Sequence, residues 1–423
     1  MKRVLSIIVA VAAICGLTMC SSEKRKQEKP KDVAEQAAAD VPELQKLAEA
    51  GNAKAQFDLA LCYYNGWGVT KDLAEAVKWC RKAAEQGDAS AQFVLGVLYY
   101  DGEGVAKDPV EAVNWWRKAA EAGDANAQFY LALSYKNGEG VIKDLAEAAN
   151  WWRKAAEQGN ADAQFNLALS YKNGDGVTKD PVEAVNWWRK AAEAGDANAQ
   201  YNLALCYKNG DGVTKDLAEA ANWWRKAAEQ GYVKAQYNLA LCYKNGDGVT
   251  KDPVEAVKWY RKAAEQGDAE AQLNLASCYY DGTGVTRDLA EAVNWWRKAA
   301  EQGDADAQYC LALLYYNGEE VTQDYAEAVK WFRAAAEQGD VDAQCNLSYC
   351  YYKGEGVTQD YVEAVKWCRK AAEQGDAEAQ YVLARCYYKA IGVELDLNES
   401  LKWLHKSAEQ GYEEAVQAVS RMN

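Results

Sequence analysis

Glycine returns every 36 residues along most of this chain, at Gly51, Gly87, Gly123, Gly159, Gly195, Gly231, Gly267, Gly303, Gly339, Gly375 and Gly411. A tryptophan keeps the same step from Trp79 to Trp403. A fixed period of this length is the mark of one small unit copied many times. It defines ten full repeats over 51–410 and a trailing partial copy at 411–423. Residues 108–128 and 180–200 are identical, so part of the array was also copied in blocks of two repeats. A unit this short cannot enclose a core of its own, so successive copies must lean on one another.

We count each repeat from its glycine as position 0. Position 1 is usually Asp or Asn, a good helix N-cap. Ala at 4, an aromatic at 6, Leu at 8 and Tyr at 12 follow at helical spacing, as in Phe165, Leu167, Ala168 and Tyr171. A glycine-rich loop comes next, such as Asn173-Gly174-Asp175-Gly176-Val177. Positions 21 and 24 are Asp and Glu in all ten repeats, which predicts a capping box (Asp72 with Glu75, Asp180 with Glu183). Pro109, Pro181 and Pro253 follow that Asp, at the first helical position where a missing N–H costs nothing. The second helix carries Ala at 25, Trp at 28 and Ala at 32 and 33, then stops at the next glycine. The predicted fold class is therefore all-α: an α/α solenoid of ten 36-residue helix hairpins, with capping helices over 41–50 and 411–423. Small residues at 4, 25, 32 and 33 let the helices approach closely, and the tryptophan of position 28 belongs to the core.

Lys2 and Arg3 precede an apolar run from Val4 to Leu17, the layout of an export signal and too short for a comfortable membrane span. It ends in Leu17-Thr18-Met19-Cys20, which resembles a bacterial lipoprotein signal in which Cys20 becomes the lipidated first residue. Met19 departs from the small residue of that pattern. Residues 1–20 thus read as the signal and 21–40 as a charged, solvated tether. An exported protein in the periplasm, on the outer membrane or at the cell surface is expected, with membrane contact through the lipid.

Much chemistry is excluded by composition. The chain of 423 residues has 63 acidic and 48 basic side chains, a net charge of −15, which argues against nucleic-acid partners. His405 is the only histidine, so zinc sites of the HExxH type and histidine-based triads cannot be built. The Asn173–Val177 loop is no EF-hand, since the first and last ligand positions would fall on Tyr171 and Val182. The tandem Trp115-Trp116 and Trp151-Trp152 are two faces of one helix. Carboxylates recur as caps, which leaves no distinctive acid–base pair. No catalytic residue, metal or cofactor is expected. Of twelve cysteines, Cys62, Cys206, Cys242, Cys278, Cys350 and Cys386 share position 11, and Cys80 and Cys368 share position 29. They read as small buried side chains, and equivalents on successive repeats stand too far apart to bridge.

The motifs A-x-A-Q-(F/Y)-x-L-A, Y-x-N-G-x-G-V-x-x-D and A-x-E-A-x-x-W-(W/Y)-R-K-A-A-E-x-G, recurring over 51–410, resemble the Sel-one-like repeat (SLR), a relative of the tetratricopeptide repeat. Glu320 and Ala390 each replace a loop glycine of the pattern, and the last repeat diverges most. The resemblance implies a right-handed superhelix that holds protein or peptide partners, in bacteria often exported. It also implies that hairpin disulfides such as Cys62–Cys80 and Cys350–Cys368 are conceivable. By the same similarity the first helices line a concave face. There, position 7 is Asn166, Asn202, Asn238 and Asn274, and position 13 is Lys136, Lys172, Lys208 and Lys244, then Tyr from Tyr280 onward. Such a ladder of amides and ammonium groups suits the backbone and carboxylates of an extended peptide. Duplication of a merely soluble surface would leave the same residues. A non-catalytic scaffold is thus the expected function, with an envelope hydrolase or a small-molecule or glycan binder using the same groove, or a structural spacer, as alternatives.

Overall fold

The computed structural model describes residues 41–319 and 321–422. The leader with Cys20, the tether and Glu320 lie outside the described residues. All regular structure among the described residues is helical. Each repeat supplies a first and a second helix of 13 residues, as in Ala161–Asn173 and Pro181–Glu193. A helix over 41–49 precedes them, and Glu413–Ser420 follows. No described helix is long and apolar enough to cross a membrane.

The chain divides into two compact units, Met1–Asp216 and Leu217–Asn423. The first holds the 41–49 helix, four hairpins and the first helix of the fifth repeat. The second holds Leu217–Glu229, five hairpins and the closing helix. Within each unit a first helix packs on the second helix of its hairpin, and each second helix packs on the first helix of the next repeat. This is an all-α solenoid fold.

The helix ends follow from the residues at their boundaries. Asp196 accepts from the Ala199 N–H at 2.7 Å to start a first helix, and Gly210 ends it in the left-handed region at φ +83°. Asp72 accepts from the N–H groups of Ala74 and Glu75 to start a second helix. The return half of the predicted capping box is replaced. The Asp72 N–H donates instead to the Tyr63 carbonyl at 2.9 Å, across the hairpin loop, and Glu75 pairs with Lys78 at 2.8 Å.

Stacking rests on small, fully buried side chains and three recurrent polar contacts. Leu131, Leu167, Leu203, Leu239 and their equivalents are fully buried, with the alanines of positions 4, 32 and 33 around them. The position-5 glutamine donates to the position-33 carbonyl of the preceding repeat, for example Gln164 to Ala156 at 3.0 Å. The position-30 arginine donates to the position-12 tyrosine hydroxyl of the next repeat, as Arg153 does to Tyr171 at 2.9 Å. The position-31 lysine lies over the position-28 indole, 3.7 Å from its centre for Lys154 and Trp151.

Two loop glycines are needed for different reasons. Gly159 (φ +89°) has open space around it, so only its backbone angle calls for glycine. Gly176 (φ +73°) rests on the start of the preceding second helix, where a Cβ would lie 2.0 Å from the Leu145 carbonyl oxygen. Gly159→Ala should therefore lower stability by about 1 kcal/mol, and Gly176→Ala by about 3 kcal/mol once overpacking is added. Ala390 holds the left-handed geometry at φ +56°, the one non-glycine described residue to do so. Ala390→Gly should raise stability by about 1 kcal/mol. Urea unfolding of the three variants checks the order.

Candidate functional site

The first-helix face was the expected binding face, and the structure shows how its side chains are held. The position-7 asparagines are half-buried. Each gives one amide N–H to the carbonyl four residues back in its own helix: Asn166 to Asp162, Asn202 to Asn198, Asn238 to Lys234 and Asn274 to Glu270, all at 2.8–2.9 Å. The Asn274 oxygen also accepts from Lys244 at 3.1 Å. Lys136 and Lys172 are exposed along their stems, but their ammonium groups sit 5.5 and 5.6 Å from the ring centres of Trp152 and Trp188. Lys208 is exposed on the first-helix face.

Position 7 is a partly dry place, which explains why a neutral amide recurs there. In the first repeat it is Asp58, and burial pushes this carboxyl up to about 6, with Lys54 opposing and Asp88 adding to the rise. A carboxyl whose folded pKa is raised destabilises the fold as it ionises, so this contribution is lost as pH climbs from about 4 to about 6. Asp58→Asn should raise stability at pH 7–8 by about 1–2 kcal/mol and change little at pH 4. Chemical denaturation at the two pH values reads the difference.

Position 29, which drew no functional reading from sequence, shapes the face most. Its aromatic ring lies over position 9 of its own repeat and reaches position 13 of that repeat and position 7 of the next. Thus a Cβ on Gly96 would come within 2.5 Å of the Trp116 ring. The Trp116 ring also packs against Tyr100 and Tyr130 at 5.4 and 5.3 Å between centroids. In the ninth repeat position 29 is Cys368, and a pocket of about 690 Å³ opens where the ring would lie. Its lining includes the matching neighbours Ser348, Tyr352 and Val382. It lies between the first helices Val341–Lys353 and Ala377–Lys389, with Tyr361–Glu373 as its floor.

The pocket is not a mere consequence of a small side chain. Cys80 stands at position 29 of the first repeat, yet there Tyr64 and Val94 are 6% and 3% exposed. In the ninth and tenth repeats the equivalent Tyr352 and Val382 are 40% and 37% exposed, and Tyr349 and Tyr361 are exposed beside them. Position 10 differs as well: Leu61 and Val97 are buried in the first and second repeats, whereas Tyr349 and Arg385 are exposed in the ninth and tenth. Large apolar groups left exposed around a cavity are the usual mark of a binding site. The signal was present in the chain, as a ring missing from one repeat, but it is visible only once positions 7, 9, 10 and 13 are known to surround position 29.

The ten described cysteines are free. The disulfides that the resemblance made conceivable are absent because the position-29 thiol faces the following repeat. Cys80 donates to the Ala91 carbonyl and Cys368 to the Ala379 carbonyl, at 3.2 and 3.3 Å. Cys345, Cys368 and Cys386 all line the pocket. Burial, with the carboxylates of Asp376 and Asp342 beside it, pushes the Cys345 thiol up to about 12, and Cys368 and Cys386 are raised by burial too. These are poor nucleophiles. At pH 8 iodoacetamide should alkylate Cys345 and Cys368 at least about a hundredfold more slowly than a free thiol, as peptide mass mapping would show. Among the described residues no three His, Cys, Asp or Glu side chains converge to hold a metal ion.

Stacked helix hairpins of one repeated length define a helical-repeat protein. The chain belongs to the Sel1 repeat family, whose model matches ten consecutive segments: 53–88, 89–124, 125–160, 161–196, 197–232, 233–268, 269–304, 305–340, 341–376 and 377–412. Members of this family are generally protein-interaction scaffolds. The chain is similar to a protective antigen of uropathogenic Escherichia coli with an SLR fold (38% identity, 89% of this chain and 88% of that one covered, TM-score 0.67). It is also similar to a Sel1 repeat protein from Oxalobacter formigenes (37% identity, 58% and 96% covered, TM-score 0.50). No curated protein matches it in sequence.

Proposed function

We propose that this protein is an exported, lipid-tethered scaffold that holds a protein partner through an extended segment laid along its first helices, and that it performs no reaction on that partner. The carrying observation is the group of exposed tyrosines, Tyr349, Tyr352 and Tyr361, around a cavity on the same face. On the first helices of the first unit, Lys136, Lys172 and Lys208 offer positive charge in an otherwise acidic protein. The basic–apolar leader ending at Cys20 supports export and lipid attachment, and the E. coli relative, described as a protective antigen, fits a chain met outside the cell.

Full-length protein immobilised on beads should capture a stoichiometric partner from envelope extracts. Lys172→Glu combined with Lys208→Glu should lose that partner. Its stability should shift by no more than about 1 kcal/mol, since Lys172 gives up a cation–π contact. Equal capture by wild type and variant would remove the lysine strip from the reading. Separately, cells fed radiolabelled fatty acid should label the wild-type chain and not Cys20→Ala.

A further inference from the structure

We propose, on the footing of the scaffold reading, that the pocket between the first helices of the ninth and tenth repeats is a socket for one aromatic side chain of the partner, flanked in the partner by basic residues.

The shape argument comes from the chain itself. In the second to eighth repeats position 29 is Trp116, Trp152, Trp188, Trp224, Tyr260, Trp296 and Phe332, so each of these seats carries a ring of the protein's own. In the ninth repeat the seat is built and the ring is missing. Ser348 at position 9 is as small as the alanines of other repeats and is tied down by a 2.8 Å bond to the Ala364 carbonyl. Tyr352 and Tyr361 stand 5.4 Å apart on one side, and Tyr349 and Val382 frame the mouth. A planar group entering here would meet tyrosine faces at the offset or edge-on distances that aromatic pairs favour. It would also cover the apolar surface that the pocket now leaves to water.

The charge argument concerns what lies beside the ring. Position 3 is Glu270, Asp306, Asp342 and Glu378 in the last four repeats, an exposed carboxylate at the start of each first helix. Among the described residues none of the four makes an ion pair. Mutual repulsion is felt along this edge: the Asp304 and Asp340 carboxyls are raised by burial and also by the neighbouring position-3 acids. Asp342 and Glu378 belong to the pocket rim. The lining cations stand further along the first helices: Arg385 over Tyr381, Lys353 over Tyr349, and Lys389 at the helix end. The position-3 end of the mouth is therefore negative, and Lys or Arg reaching from the anchoring ring toward that end is the complement.

A library of random peptides displayed on phage and selected on the full-length protein tests both parts. The selected peptides should share a Trp, Phe or Tyr with Lys or Arg beside it. Cys368→Trp restores the chain's own ring, so it should melt at a higher temperature and bind those peptides about tenfold more weakly or worse, as expected for the loss of one buried ring. Tyr349→Ala, at an exposed position, provides the same readout should Cys368→Trp fail to fold. Asp342→Asn with Glu378→Gln should weaken the basic peptides and spare versions whose Lys residues are changed to Gln. Peptides that bind wild type, Cys368→Trp and Tyr349→Ala equally would overturn the socket and leave the scaffold reading standing. Selection of peptides without an aromatic residue would do the same. No enrichment on wild type would overturn both.

Discussion

Within each unit every repeat finishes the helix of the one before it. The last carbonyls of an α-helix have no partner inside the helix, and a buried one left bare is costly. Here the position-33 carbonyl receives the side-chain amide of the next repeat's glutamine, from Gln56 on Ala48 to Gln380 on Ala372. That glutamine is itself buried and often accepts from a second glutamine thirty residues on, as Gln128 does from Gln158. A hairpin detached from its neighbours would expose apolar alanine and leucine and also take away one of the two hydrogen bonds that the position-33 carbonyl accepts, the other coming from the glycine N–H three residues on, as Gly159 gives to Ala156. Cooperativity in the stack is therefore a matter of hydrogen-bond geometry as much as of buried area.

The parts of the architecture that repeat were legible in the residues, because each is a local decision made ten times. The Asp of position 21, the glycine of position 0 and the proline after Asp180 mark helix ends without reference to anything distant. Contacts between repeats were harder to see. Glu75 looked like half of a capping box, yet Tyr63 from the other helix supplies the acceptor, which no local pattern reveals. Position 5 reads as a polar residue on an apolar stripe, and its role appears only when the preceding helix end is brought against it.

The candidate site lies at the opposite extreme. A pocket made by the loss of a repeated ring is a departure from the pattern, and a reading that seeks regularity passes over it. Cys368 looks like Cys80 in the sequence, and both donate to a carbonyl of the next repeat. Their surroundings differ at position 10, where Leu61 and Val97 are buried and Tyr349 and Arg385 are exposed. The Asn and Lys ladder, by contrast, was visible at once. Each amide gives one N–H to its own helix, so recognition by these residues would draw on the second N–H, the amide oxygen and the lysine charge.

The glycine that sits against the start of the preceding second helix carries a consequence for how such a chain grows. Gly104, Gly140, Gly176 and Gly212 each meet the first residue of the helix before them, whether that residue is leucine or proline, and they meet it through its backbone. A junction made with main-chain atoms is indifferent to side-chain identity. A copy inserted in register after another, two at a time if the crossover falls that way, meets this joint unchanged. The identical stretches 108–128 and 180–200 are what such interchangeable joints permit: lengthening by recombination, with specificity written afterwards into the few positions that the joints do not use.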